Sequence, residues 1–387
     1  MTKKTGFILF LIVATELIGF GLIIPILPQL ALKFEVSSFA IGFLMAAYSL
    51  AQFFAAPLLG ILSDKIGRKP VLLLSKFGTV MSYLLLAASQ SYTLFLVSRL
   101  LDGFTGGNIS VARAYVADVT SEKDRPKGMA IIGISFGLGF VLGPAIGGFV
   151  YQENLDHTLA ALIAGTASLV AFFLTLLLLK EPKKHKEVQK RDPLIKQLLS
   201  VNNVSVQIIF LVFFIYMLVF SGFETSFSVF TNRLFLFSAK ENSWLFMYAG
   251  ILAIFIQGGL ARFTPNNLHR TTYIGFGFLA FSFLGLALTF RVWMLFAFLF
   301  ILSIGVAILN TFLPSLLSTQ VSKEKQGLVM GIYEGLGSLC RVLGPLFTYT
   351  MVIDYPRHTY FLFAVLLLFA GTVISIGLKP ANQSDSK

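Results

Sequence analysis

Cysteine occurs once in the 387 residues, as Cys340, so neither a disulfide nor a cysteine-based metal framework can hold this chain together. Charge is almost as scarce. Lys, Arg, Asp and Glu make up 12% of the residues, whereas soluble domains usually carry about 25%. Hydrophobic residues reach 56% and the mean hydropathy is +0.82, which reads as an integral membrane protein. A nucleophile–base pair, a cluster of metal ligands and a phosphate-binding glycine loop are also missing, which argues against an enzyme and leaves no cofactor to expect. Nothing resembles a pore loop or selectivity filter, which argues against a channel.

What the chain has is apolar length. A helix that satisfies its own backbone needs about 20 apolar residues to cross about 30 Å of hydrocarbon. Twelve runs of this order follow one another between residues 6 and 378, six on either side of a charged interval. The expected fold is therefore all-α, with twelve transmembrane helices in two six-helix halves, residues 1–180 and 204–387. Residues 181–203 read as a cytoplasmic linker rich in Lys and Arg, with 194–199 as a short helix lying on the interface.

The formal charge of +12 belongs to this topology rather than to a nucleic-acid partner. With both termini cytoplasmic, Lys33, Arg233, Lys240, Arg291 and Arg357 are the basic residues left outside, as the positive-inside bias requires. The first run follows Lys3 and Lys4 and is too long for a signal-peptide core, so it is expected to remain uncleaved.

An internal repeat supports two equivalent halves. The string Gly133-x3-Gly137-Leu138-Gly139 recurs 198 residues later, and Val141-Leu142-Gly143-Pro144 recurs 201 residues later. Spans 5 and 11 are thus equivalent helices. Transporters built from repeats place their site near the midplane where the repeats meet, which implies alternating access.

Several polar residues interrupt the spans. Glu16 lies a third of the way into span 1, ahead of Gly19, Gly21, Pro25 and Pro28, a pattern that breaks a helix beside a cavity. In span 4, Arg99, Asp102, Gly103, Gly106, Gly107, Ser110 and Arg113 share one face. Charges at that depth mark a pathway or pair inside the bundle. Arg99 and Asp102 are either a self-neutralised structural pair or a modulator of a protonatable carboxylate elsewhere, and Glu16 is the first candidate for that carboxylate. Glu224 in span 7 and Glu334 and Arg341 in span 11 give the second half its own charges. With Glu16, Arg113 and Asn310 they form the candidate substrate cavity.

Between spans 2 and 3 the chain reads Gly60-Ile61-Leu62-Ser63-Asp64-Lys65-Ile66-Gly67-Arg68-Lys69-Pro70. Here Gly60 should admit a neighbouring helix, and Asp64 could cap the start of span 3 or of a neighbour. In span 5, Gly139, Gly143, Pro144, Gly147 and Gly148 make a smooth surface for close helix packing, expected as the seam between halves.

These strings resemble the major facilitator superfamily, in particular its twelve-span drug:H⁺ antiporters. The 60–70 loop is similar to the superfamily's loop signature, Arg99-x3-Gly103-x3-Gly107 to its span 4 motif, and the span 5 glycines to its antiporter motif. By that resemblance Gly60, Asp64, Arg68 and Asp118 form a cytoplasmic latch, while Glu16, Arg99 and Asp102 serve proton coupling. Span 1 resembles that of tetracycline/H⁺ antiporters, although Ser82 stands where those exporters carry an aspartate.

The resulting expectation is a proton-driven exporter of a small hydrophobic or amphipathic compound, acting as a monomer in a bacterial inner membrane. Its partners would be cargo, protons and lipid. The alternatives keep the fold and change the cargo to a metabolite, siderophore, peptide or flipped lipid.

Overall fold

The computed structural model describes residues 3–23, 26–27, 34–120, 157–182, 203–260, 265, 267–321 and 326–377, together with 131–132, 135, 138–139, 141–143, 146–147 and 150. The expectations on Pro25, Pro28, Gly133, Gly137, Pro144, Gly148 and the linker from 183 to 202 lie outside the described residues. The helices are α1 (Lys3–Ile23), α2 (Ser38–Ile66), α3 (Arg68–Ala87), α4 (Tyr92–Thr105), α5 (Asn108–Val119), α6 (Thr158–Leu178), α7 (Val204–Phe235), α8 (Ala239–Leu260), α9 (Leu268–Ala287), α10 (Val292–Thr319), α11 (Gln326–Val352) and α12 (Pro356–Gly377). Span 4 is divided into α4 and α5, and the described residues from 131 to 150, which belong to span 5, are helical. From α6 onward labels and span numbers coincide.

Local chemistry starts these helices where the hydropathy does. Ser37 Oγ accepts from the Ala40 amide at 3.2 Å, Ser91 Oγ from Leu94 at 3.4 Å and Asn267 Oδ1 from Arg270 at 2.9 Å. Each satisfies an amide that the first turn leaves without a partner. Seven helices, α1, α2, α3, α6, α7, α10 and α12, are long and apolar enough to cross a bilayer among the described residues. The others carry polar groups within their length, such as Glu334 and Arg341 in α11 or Lys240 and Glu241 in α8.

Contacts group the chain into two compact units, Met1–Lys190 with Thr225–Gly250, and Arg191–Glu224 with Ile251–Lys387. The repeat is visible inside each. α3 and α9 are both 20 residues long and start 200 residues apart. In the first unit α3 packs on α4 and α6; in the second α9 packs on α10 and α12.

The span 5 glycines admit close backbone approach, as their spacing suggests. A Cβ on Gly143 would stand 2.8 Å from Gly21 Cα and from the Ile18 carbonyl, one on Gly147 would stand 2.8 Å from the Leu22 carbonyl, and one on Gly139 would collide with Leu17. Span 5 therefore lies against α1 of its own half. Gly344 repeats the crossing in the second unit, where a Cβ would lie 2.9 Å from Gly222 N and the Leu218 carbonyl. In both units glycine removes the one atom that would keep two backbones apart.

Gly143→Ala and Gly344→Ala are each expected to lower stability by about 1–3 kcal/mol, the cost of overpacking a tight contact. Gly331→Ala, where a Cβ meets nothing within 4 Å, should be neutral or stabilising through helix propensity. Thermal unfolding of the purified variants in one detergent checks the contrast.

Candidate functional site

α1, α3 and the α4–α5 break meet at a cluster of four charges. Glu16 Oε2 accepts from Lys76 Nζ at 2.7 Å, Asn108 Nδ2 at 3.1 Å and Thr79 Oγ1 at 3.5 Å. Lys76 also donates to Thr15 Oγ1 at 3.2 Å. Arg99 Nη1 lies 3.1 Å from Asp102 Oδ2, and Asp102 Oδ1 accepts from Ser82 Oγ at 3.2 Å. The guanidinium stands over the Tyr83 ring, 5.4 Å from its centroid, a favourable cation–π geometry. Thus Glu16, Arg99 and Asp102, singled out in the sequence, are brought together.

Lys76 was missed. It sits in the middle of α3, after the run Val71-Leu72-Leu73-Leu74-Ser75, with no motif around it to draw attention. The available cue was spacing: Lys76, Thr79, Ser82 and Tyr83 fall on one face of α3, the face turned to the cluster.

The cluster is sealed rather than open to a watery chamber. Glu16 and Arg99 are each 2% exposed, Asp102 and Lys76 0%. The physical reason is charge balance. Two carboxylates with two cations of their own form neutral pairs that the protein can enclose, whereas a lone charge at this depth costs at least about 2.5–3.5 kcal/mol. Below the pairs an apolar layer that includes Ile12, Val13, Leu59, Val71, Leu72, Val111 and Tyr115 closes the way toward the 60–70 loop.

The span 4 face is also not continuous. The helix breaks at Gly106 and Gly107, and the loosened carbonyls are collected by neighbours: Ser75 Oγ donates to Thr105, and Gln52 Nε2 donates to Gly106 at 2.9 Å. A Cβ at Gly106 would come within 2.9 Å of Glu16 Oε1. The break makes room for the carboxylate and places Asn108, the first residue of α5, against it.

The latch assembles around Arg68. Its Nη1 lies 2.7 Å from Asp64 and 2.6 Å from Ser63 Oγ, and its Nε donates to Asp118 at 2.8 Å. The cap on α3 is not Asp64, which is engaged in this pair, but Glu181. Its two carboxylate oxygens accept the Arg68 and Lys69 amides at 2.6 and 2.8 Å. Gly67, at φ 107°, makes this approach possible, since a Cβ there would lie 2.7 Å from Glu181 Oε1. Lys69 Nζ and Tyr115 Oη bind the Leu176 and Lys180 carbonyls at 2.8 and 2.5 Å, tying the end of α6 to the same loop. Gly60, expected to admit a close neighbour, has nothing within 4 Å of a Cβ among the described residues.

The second unit's polar residues are arranged differently. Tyr216 Oη donates to Asn310 Oδ1 at 3.0 Å, and Asn310 is itself exposed. Arg341 Nη2 donates to Ser338 of its own helix at 3.1 Å, Glu334 is exposed, and Glu224 Oε1 is buried without a hydrogen-bond partner among the described residues. In the first unit Arg113 is half-buried on α5. Exposed polar groups within spans need water rather than acyl chains around them.

A family model described as Major Facilitator Superfamily matches residues 9–345 and 269–387. Major facilitator superfamily domain-containing protein 10 of Bos taurus is 31% identical over 374 residues, 88% of this chain and 79% of that protein. The class B tetracycline resistance protein of Escherichia coli is 32% identical over 350 residues, 88% and 86% of the two chains. Among solved structures, the human organic anion transporter MFSD10 superposes with a TM-score of 0.72 at 27% identity, covering 96% of this chain and 99% of that one.

Replacing Glu181 by Ala should cost about 0.5–2 kcal/mol, as the loss of a helix cap does, and should speed deuterium exchange at the Arg68 and Lys69 amides while leaving mid-α3 amides protected. Hydrogen-exchange mass spectrometry of the 60–80 segment reads both.

Proposed function

Since the chain belongs to the major facilitator superfamily, a family of membrane transporters, we propose that it is a secondary transporter that exports a small amphipathic or hydrophobic compound in exchange for protons, by alternating access. The observation that carries this reading is Glu16, a carboxylate held deep in a spanning helix by a lysine from another helix. Such a group can be charged while its cation is in place and neutral when a proton replaces the cation. Both termini face the cytoplasm, the protein acts as a monomer in a bacterial inner membrane, and no cofactor beyond the proton gradient is needed.

In this cycle Glu16 takes up and releases the proton, and Arg99 and Asp102 shape its electrostatic surroundings. Because the cluster is enclosed in this state, exchange with water requires the helices around it to part. Cargo contacts fall to Arg113, Glu224, Asn310, Glu334 and Arg341, which include the exposed polar groups of the second unit's spans. The Asp64–Arg68–Asp118 cluster holds the cytoplasmic side of the first half closed. One inward proton supplies about 2.3 kcal/mol per 100 mV and about 1.4 kcal/mol per pH unit, enough to sustain a gradient of about ten-fold.

Kinship with a tetracycline resistance protein supports drug export. An organic anion is the second cargo reading, supported by the likeness to MFSD10 over nearly the whole chain. The two make different demands on charge, and proteoliposomes loaded with members of each class separate them.

Glu16→Gln is expected to abolish uphill export in proteoliposomes carrying a pH gradient, while downhill exchange of the same compound persists. Uphill export that survives the substitution removes Glu16 from the proton path.

A further inference from the structure

Of the two ion pairs in the cluster, only one joins different helices. Arg99 and Asp102 both belong to α4 and stay together however that helix moves. Glu16 belongs to α1 and Lys76 to α3. The span 5 glycines pack α1 at Leu17, Ile18, Gly21 and Leu22, starting one residue after Glu16. Displacement of α1 from α3 strains three side-chain bonds, Lys76 to Thr15 at 3.2 Å, Thr79 to Glu16 at 3.5 Å and Lys76 to Glu16 at 2.7 Å, of which the last is the charged one.

The repeat shows that the fold does not need this bond. At the 200-residue displacement that relates α3 to α9 and α4 to α10, Lys76, Thr79, Arg99 and Asp102 correspond to Phe276, Leu279, Leu299 and Leu302. Phe276, Leu279, Leu299 and Leu302 are all buried. The second unit thus builds the same helix arrangement with apolar side chains at these positions. A buried ion pair is commonly no more stabilising than well-packed apolar residues of similar size, so packing alone gives no reason for the first unit to hold a lysine here.

We propose that Lys76 is the positioning residue that turns protonation of Glu16 into helix movement: it straps α1 to α3 while Glu16 is ionised and releases α1 when Glu16 takes a proton. This rests on the reading of Glu16 as the proton site. The groups facing Glu16 fit the assignment. From α3 it meets Lys76, which also donates to Thr15 of α1, and Thr79, from α5 Asn108, and Tyr48, Tyr83 and the Asp102–Arg99 pair lie within electrostatic reach. Lys76 is the cation bonded to Glu16, and Arg99 is engaged by Asp102. Protonation of Glu16 leaves the Lys76 ammonium without its partner in a sealed site, an unfavourable condition that admitting water or another anion relieves. The strap therefore opens as pH falls.

The experiment measures the distance between nitroxide labels at Phe7 on α1 and Leu74 on α3, both exposed, in reconstituted protein with Cys340 replaced by serine. Pulsed electron resonance distances are taken across a pH series, with cargo-driven proton release from proteoliposomes measured in parallel. In the otherwise unsubstituted protein the longer distance should gain population as pH falls. Lys76→Met should favour it at every pH and lose coupled export about ten-fold or more, as expected when one partner of a buried pair is removed. Lys76→Arg should restore the pH dependence. Lys76→Gln, which keeps a neutral donor beside Glu16, keeps the test valid if Lys76→Met does not fold, and it too should show no pH dependence. A pH-dependent distance that persists in Lys76→Met or Lys76→Gln overturns the strap. Failure of cargo to release protons from the unsubstituted protein sinks the antiport reading instead, and the distances still judge the strap.

Discussion

The ion pair between Glu16 and Lys76 is the constraint around which the first unit is organised. Ionised groups in the middle of a membrane protein are tolerated when they neutralise one another and fill each other's hydrogen-bonding capacity. Nearby features serve the Glu16 carboxylate in this way, whereas Arg99 Nε and Nη2 are buried without a hydrogen-bond partner among the described residues. The α4–α5 break admits the carboxylate beside Gly106 and supplies Asn108. Gly19 leaves space for the Tyr83 ring, which lies under the second cation. Thr79 and Ser82 give each carboxylate a hydroxyl from the same face of α3. An apolar layer then separates this polar interior from the charged loop at the helix ends.

The duplication makes this specialisation plain. Both units use the same glycine crossing and comparable packing around their third helices, so the shared features are those of architecture. The charges are not shared. Apolar residues stand in the second unit where the first has its cluster, and of the second unit's own polar groups Asn310 and Glu334 are exposed while Glu224 Oε1 is buried. Two copies of one scaffold have thus been fitted with different chemistry, enclosed and self-neutralised in one, in part accessible in the other.

Much of this was legible in the chain. Helix number and the repeat follow from hydropathy and from glycine strings whose periodicity survives duplication. Glu16, Arg99, Asp102, Asp64, Arg68 and Asp118 stood out because charge is rare in spans and because the motifs are dense. What escaped depends on pairing across helices, which no local pattern encodes. Lys76 belongs to no dense motif and has no local partner until α1 brings a carboxylate to it. Glu181 lies 113 residues from the amide of Arg68 that it caps. The packing of the span 5 glycines on α1 was also not legible, because a smooth glycine face tells that a helix will be approached closely, not by which helix.

The short helix α5 has a consequence of its own. Its first residue, Asn108, touches Glu16, and Asp118, one residue before its end, grips Arg68. Ten residues of helix span about 15 Å, and the break at Gly106 and Gly107 frees this segment from the rest of span 4. α5 is therefore a continuous rod, packed along Val111, Ala112, Tyr115 and Val116, that joins the buried carboxylate to the charged loop at the helix ends.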